Sequence, residues 1–115
     1  MWKYRSQLKA LAKAGTVAFG PVGLAATTLP ETRAYDDLAD ARDPALLARL
    51  EKLLATGTPA GKVYAASLIA GLDPAAGRRA WQRLATETGE VNTFQGCVGG
   101  RTTLAGYANE RLRPE

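Results

Sequence analysis

Few residues of this sequence could do chemistry on a substrate. The chain has 115 residues, no histidine and a single cysteine. Without histidine it lacks the commonest general base, the usual metal ligand, and any Ser-His or Cys-His pair. One cysteine cannot close a disulfide within the chain or build a zinc site from several thiolates. We therefore predict a non-catalytic protein with no cofactor and no bound metal.

Two groups nevertheless have a functional interpretation beside a structural one. Cys97 lies in a glycine-rich segment, where backbone N–H groups could stabilise a thiolate. Because no histidine can activate it, we favour a small buried apolar residue. Asp36, Asp37 and Asp40 would share a face of a helix and could hold a hard cation. A solvated acidic helix face explains the same spacing, and we favour that interpretation.

Residues 57–62 read GTPAGK and look at first like a phosphate-binding loop. The glycines are one residue too close together, and Val63 stands where Ser or Thr should bind magnesium. A predicted helix precedes the segment, whereas a phosphate-binding loop follows a strand. We therefore predict the start of a helix here.

Arginines form the strongest candidate for a binding site. Arg78, Arg79, Gln82 and Arg83 fall on the outer side of a predicted helix, where Arg79 and Arg83 are neighbours four residues apart. A solvated face and a partner-binding face are both open interpretations of this cluster. Because arginine is enriched at interface hot spots, we take these four residues as the candidate partner-binding site.

The candidate arginines belong to the last of three units that repeat every fifteen residues between positions 43 and 87. Each unit opens with Asp or Thr followed by proline: Asp43-Pro44, Thr58-Pro59 and Asp73-Pro74. The side-chain oxygen can accept from the free N–H groups of a first helical turn, and proline removes an N–H that has no partner there. The units predict three helices with short joints, and Gly57 and Gly71 are expected to close helices in the left-handed conformation.

The apolar positions predict how these helices pack. The inner face of the first is expected to consist of Leu46, Leu47, Leu50, Leu53 and Leu54. The second, around Tyr64 and Leu68, is apolar on nearly all sides and should lie in the middle. The third has a narrow inner stripe of Ala80, Trp81, Leu84 and Ala85.

The pattern of residues 43–87 resembles HEAT-like α-helical-repeat proteins, in which short antiparallel helices stack on their neighbours. No family-specific functional motif accompanies the resemblance. A repeat array needs about three two-helix units, and this sequence has one and a half. The segments on either side must therefore cover the open ends. The resemblance implies binding to other proteins.

The net charge of +4 is concentrated at the N-terminus. Residues 1–30 contain four basic side chains and no acid: Lys3, Arg5, Lys9 and Lys13. The spacing of Tyr4, Leu8 and Leu11 predicts a first amphipathic helix that ends near Gly15. A segment interrupted by glycine and proline, residues 17–29, should follow it.

An alternative interpretation of residues 1–26 is a secretory signal with a cleavage site at Leu24-Ala25-Ala26. Because Gly20, Pro21 and Gly23 interrupt its apolar part, we favour a cytoplasmic protein and keep export as the alternative. The uncharged stretch also falls short of the ~20 strongly apolar residues that a bilayer requires. We expect no transmembrane span.

The sequence after Glu87 changes in character. VNTFQGCVGG, residues 91–100, predicts a loop or a short extended piece. Thr102 or Thr103 should then cap a last helix over residues 104–112, whose inner stripe is Leu104, Tyr107, Ala108 and Leu112. Together these elements predict one all-α domain over residues 1–115 with about five helical segments: residues 1–30, a three-helix core at 43–87, and a capping helix at 101–113.

Two functional hypotheses follow. The first is a protein-interaction module, a small adaptor or a bacterial immunity-type inhibitor that covers the surface of a partner protein. The second is a nucleic-acid-binding domain that uses the basic N-terminus together with Arg78, Arg79 and Arg83. The net charge is small, which favours the first hypothesis.

Overall fold

A computed structural model describes residues 3–20, 23, 28–95 and 98–113. The described residues form six helices and two strands: α1 (Arg5–Ala12), α2 (Pro30–Ala41), α3 (Leu46–Thr56), α4 (Pro59–Leu72), α5 (Pro74–Leu84), β1 (Glu90–Gln95), β2 (Val98–Thr103) and α6 (Leu104–Leu112). The protein is thus mostly helical, with one helix more among the described residues than the about five helical segments expected, and the expectation of an all-α fold is wrong. A sixth helix occupies Pro30–Ala41, and β1 and β2 form a two-stranded antiparallel sheet.

Two of the three repeated Asp/Thr-Pro pairs begin helices by the mechanism expected from the sequence. The Thr58 hydroxyl accepts from Gly61 N–H (3.1 Å) at the start of α4. The Asp73 carboxylate accepts from the N–H groups of Ala75 and Ala76 at the start of α5. In the first unit Asp43 instead accepts from Ala45 N–H in a turn, and α3 begins only at Leu46.

The expected left-handed glycines are absent from the helix ends. Gly57 follows α3 with φ −74° and ψ 173°, which is extended backbone, and Gly71 lies within α4. Asp73 ends α4 and begins α5 in one residue, so that joint has no room for a separate closing turn. The left-handed residue after a helix is Arg42, with φ 47°, at the end of α2.

Helix α4 lies in the middle of the molecule, as its apolar sequence predicts. It packs against α3 and α5, its neighbours in the chain, and also contacts α1, α2, α6 and β1. Its buried side chains point to all sides: Ala60, Val63, Tyr64, Ala65, Ala66, Leu68 and Ile69. The leucine stripe of α3 and the Leu104 and Ala108 positions of α6 are buried as well, with Leu47 only partly covered.

Glycines allow two close backbone approaches around α4. A Cβ atom at Gly77 of α5 would overlap the Cα and Cβ atoms of Ala70 in α4. A Cβ atom at Gly61 of α4 would overlap the carbonyl oxygen of Leu11 in α1. Both contacts require a residue without a side chain, and they fix how α1 and α5 cross the central helix.

Residues 14–18 follow a non-helical path in which Ala14, Val17 and Ala18 are buried, and hydroxyl groups hold this path in place. The Tyr64 hydroxyl accepts from Ala18 N–H (2.8 Å) and donates to Ala18 O (2.9 Å). Thr32 of α2 also donates to Ala18 O (2.6 Å), and Thr58 donates to Ala14 O (2.6 Å). The carbonyls of Ala14 and Ala18 and the Ala18 N–H belong to no helix or strand, so the three hydroxyl groups supply the hydrogen bonds that secondary structure would otherwise provide.

Strand β1 of the two-stranded sheet pairs with this N-terminal segment. Val17 forms a parallel bridge with Thr93: its N–H donates to Asn92 O (2.8 Å), and its carbonyl accepts from Phe94 N–H (2.9 Å). Helix α6 starts directly after β2, with the Thr103 hydroxyl accepting from Gly106 N–H (2.9 Å). Within the described residues, no helix is long and apolar enough to cross a membrane.

Candidate functional site

The four side chains of the candidate partner-binding site lie on the solvent side of α5. Arg78, Arg79, Gln82 and Arg83 are all exposed, whereas the opposite side of the helix is buried. Asp73 fixes the first turn of α5, and Gly77 brings the helix onto Ala70 of α4. These contacts hold the helix from its inner side and leave its outer side to solvent.

Arg83 differs from the other two arginines because it belongs to an ion-pair cluster. The Glu87 carboxylate lies 3.5 Å from Arg83 Nε and 2.5 Å from Lys62 Nζ. Half of the Arg83 side chain (51%) is exposed, while Lys62 and Glu87 are largely covered. Arg78 and Arg79 have no carboxylate within 4 Å among the residues that the structure describes. We call Arg78, Arg79 and Gln82 the α5 arginine face.

The basic residues of the N-terminus do not extend the α5 arginine face. Arg5, Lys9 and Lys13 are exposed on and just after α1, which packs against α2, α3 and α4. Helix α5 packs against α4 and α6. The basic residues of α1 and the α5 arginine face therefore lie on helices that pack against different neighbours around α4.

A cluster of aromatic rings surrounds Arg111, and the sequence pattern does not predict it. The Arg111 guanidinium carbon lies 5.5 Å from the ring centre of Tyr107, 5.9 Å from that of Trp81 and 6.0 Å from that of Phe19. Arg111 also donates a hydrogen bond to the Tyr107 hydroxyl (3.2 Å). Its only signal in the sequence is the spacing of four between Tyr107 and Arg111 on α6.

The aromatic cluster extends from α6 into α2. Phe19 meets Tyr35 edge to face at 4.9 Å and the buried Tyr64 at 5.4 Å. Burial, followed by the negative charge of Asp36, raises the pKa of Tyr35, while the positive charge of Arg111 acts in the opposite direction. Burial likewise raises the pKa of Tyr64. Both phenols are therefore neutral at physiological pH.

Trp81 has a second role beside the core position expected for it. It is only 7% exposed, and its ring lies 5.9 Å from that of Tyr107. It nevertheless contributes to the lining of a depression of about 500 Å³ that is open to solvent. We call this the Arg111 depression; its lining consists of Phe19, Tyr35, Ser67, Ala70, Trp81 and Arg111.

The other candidate groups that the structure describes lie outside the Arg111 depression, and Asp37 lines a separate open depression of about 300 Å³. Asp36, Asp37 and Asp40 are exposed on α2, and partial desolvation followed by the charges of Asp40 and Asp37 raises the pKa of Asp36. No group of three acidic, histidine or cysteine side chains in the described part of the chain could hold a metal ion. In the GTPAGK segment, Thr58 caps α4 and Lys62 pairs with Glu87. Cys97 lies outside the described residues.

Comparison of the chain with protein-family models, curated proteins and solved structures gives no match. The class that the structure itself defines is a mostly helical protein in which six helices and a small antiparallel sheet, formed by the described residues, pack together. Its functional assignment therefore rests on the surfaces described above.

Proposed function

We propose that this protein is a non-catalytic protein-interaction module, an adaptor or immunity-type inhibitor, that binds an acidic surface of a partner protein through the α5 arginine face. The supporting observation is that Arg78 and Arg79 are exposed on a helix held firmly from its other side, with no internal carboxylate paired to either among the described residues. Such guanidinium groups can pair with partner carboxylates without first breaking an internal ion pair.

The scaffold of this module is a shortened HEAT-like repeat built from α3, α4 and α5. The sequence period and the two matching helix starts at Thr58 and Asp73 support this assignment. In repeat folds, each helix contacts its neighbours in the chain, and α4 does so with α3 and α5. Helices α1, α2 and α6 cover what would be the open ends of such an array.

We also propose that the module acts in the cytoplasm with residues 1–26 still attached. Cleavage after Ala26 would remove Leu11, Ala14, Val17 and Ala18, which are all buried in the core. A native protein whose N-terminus is Thr27 would contradict this proposal.

Affinity capture from the native cell tests the proposed interface. We expect the wild-type protein to retain one stoichiometric partner and the double variant Arg78→Glu/Arg79→Glu to lose it, with at least about tenfold weaker binding. Arg83 is left unchanged because its reversal would remove a partner from Glu87. The matched control is Lys9→Glu/Lys13→Glu, which changes the net charge equally at exposed positions on and after α1.

The same variants discriminate the nucleic-acid alternative. A non-specific DNA or RNA ligand would respond to net charge and to salt, so both double variants would weaken its binding. Equal loss of the captured partner from both variants, or no partner retained by the wild type, would contradict the proposed interface. Circular dichroism of each variant checks that its helices are intact.

A further inference from the structure

The Arg111 depression has the composition of a ligand site. Three aromatic side chains, Phe19, Tyr35 and Trp81, line it together with the small residues Ser67 and Ala70 of α4. Its volume of about 500 Å³ falls in the range of small-molecule sites, which are mostly apolar with a few convergent polar groups. Phe19 is 38% exposed, one of the two large apolar side chains most open to solvent among the described residues.

The charge of the depression comes from a single guanidinium group. Arg111 donates one N–H to the Tyr107 hydroxyl. Among the described residues, no carboxylate lies within 4 Å of the Arg111 guanidinium group. A guanidinium has several further N–H donors in a planar fork that matches a carboxylate. The rings of Phe19, Trp81 and Tyr107 surround the guanidinium group and hold it in place. Their interaction with its positive charge is weaker than that of a carboxylate.

The chemical class of the ligand follows from the aromatic lining of the depression and from the positive charge of Arg111. A cationic ligand would be repelled by Arg111, although an aromatic cage alone would suit one. A neutral apolar ligand would cover the guanidinium without pairing it, which is unfavourable for a charge. A small hydrated anion would leave the aromatic walls unused. A carboxylate attached to a flat apolar group can pair with the Arg111 guanidinium group while the apolar group packs against the aromatic rings.

We infer that the Arg111 depression binds an aromatic carboxylate, with the carboxylate paired to Arg111 and the ring packed among Phe19, Tyr35 and Trp81. This site is separate from the α5 arginine face, and the inference does not depend on the proposed partner. The ligand chemistry occurs in free aromatic acids and in a polypeptide that ends in an aromatic residue.

Titration of the ¹⁵N-labelled protein with N-acetyl-phenylalanine tests the site. We expect a saturable shift of the Trp81 indole N–H and of the Ser67 and Ala70 amides. The uncharged N-acetyl-phenylalaninamide should bind about tenfold more weakly or worse, because it cannot form the charged pair. The indole signal is assigned by its loss in Trp81→Phe.

Two variants and one matched control locate the binding. Arg111→Gln should weaken N-acetyl-phenylalanine by about tenfold or more and should remove the preference for the acid over the amide. Phe19→Ala should weaken both probes alike, because it removes a wall and leaves the charge. Arg113→Gln, an exposed arginine of the same helix end that pairs with Glu110, should leave binding unchanged. Thermal unfolding of each variant checks the fold.

Several outcomes would overturn the inference. They are equal binding of acid and amide, shifts confined to another surface, no saturable shift at millimolar probe, and tighter binding of phenyl phosphate than of the carboxylate. An acetylated tetrapeptide ending in phenylalanine distinguishes the two sources: binding tighter than the single residue indicates a polypeptide terminus, and weaker binding indicates a free acid. Retained binding in Arg78→Glu/Arg79→Glu shows that the site stands apart from the α5 arginine face.

Discussion

At the scale of single residues, the hydroxyl of Tyr64 connects parts of the chain that are distant in sequence. It is fully buried on α4, accepts from Ala18 N–H and donates to Ala18 O. Thr32 adds a second hydrogen bond to the same carbonyl. A buried backbone N–H without an acceptor is costly, so the hydroxyl is needed as well as the ring.

We predict that Tyr64→Phe lowers the free energy of unfolding by about 1–3 kcal/mol, because it leaves Ala18 N–H buried without its acceptor. Urea unfolding followed by circular dichroism measures the change. Tyr107→Phe is the matched control, since it removes the same atom from a hydroxyl bonded only to the exposed Arg111 in the described structure. Its effect should stay within about 0.5 kcal/mol. Equal losses in both variants would contradict the role assigned to Tyr64.

At the scale of helices and strands, the sequence predicted the helix starts that depend on side chains of the same segment. The starts of α4 and α5 follow from Thr58 and Asp73, whose side chains bond to their own first turns. The hairpin could not be predicted in the same way, because the β2 residues alternate poorly: most of its side chains are exposed, with Val98 72% exposed. The strands are instead supported by Val17, which reaches β1 from the other end of the chain.

The glycines of α4 and α5 give a test at this scale. Gly77→Ala should destabilise the protein by about 2 kcal/mol or more, because the added Cβ overlaps Ala70 of the neighbouring helix. Gly61→Ala should do the same against Leu11. Gly71→Ala is the control: a Cβ atom there meets nothing within 4 Å, so the change should stabilise the helix by about 0.5–1 kcal/mol. Thermal or urea unfolding of the three variants gives the comparison, and a stable Gly77→Ala protein would contradict the described crossing of α4 and α5.

At the scale of the whole molecule, the sequence could indicate the α5 arginine face but not the Arg111 depression. The outward direction of Arg78 and Arg79 follows from the period of one helix. Phe19, Tyr35, Trp81 and Arg111 lie on four separate segments, and only their tertiary packing brings them together. The expectation that Trp81 belongs to the core agrees with its burial, but it does not include the contribution of Trp81 to the lining of the depression.

We predict that the stability of the whole molecule depends on its N-terminal segment. A chain that begins at Thr27 lacks α1 and the buried residues Leu11, Ala14, Val17 and Ala18. It should lose cooperative unfolding, because burial of Leu11 and of Val17 contributes about 1.5–3 kcal/mol each and the total stability of a domain is only about 5–15 kcal/mol. Calorimetry of the shortened and full-length chains tests this. A sharp transition in the shortened chain would show that residues 28–113 form a core of their own.

The bridge between Val17 and β1 also determines when the protein can finish folding during its synthesis. Val17 N–H donates to Asn92 O, and Val17 O accepts from Phe94 N–H. At roughly 5–20 residues per second, a ribosome adds Phe94 roughly 4–15 s after Val17. Over that interval Thr58 and Tyr64 are added to the chain, while the strand partners of Val17 do not yet exist. The backbone edge of the segment around Val17 therefore stays unpaired until β1 has been synthesised, and a chaperone could bind it during this interval.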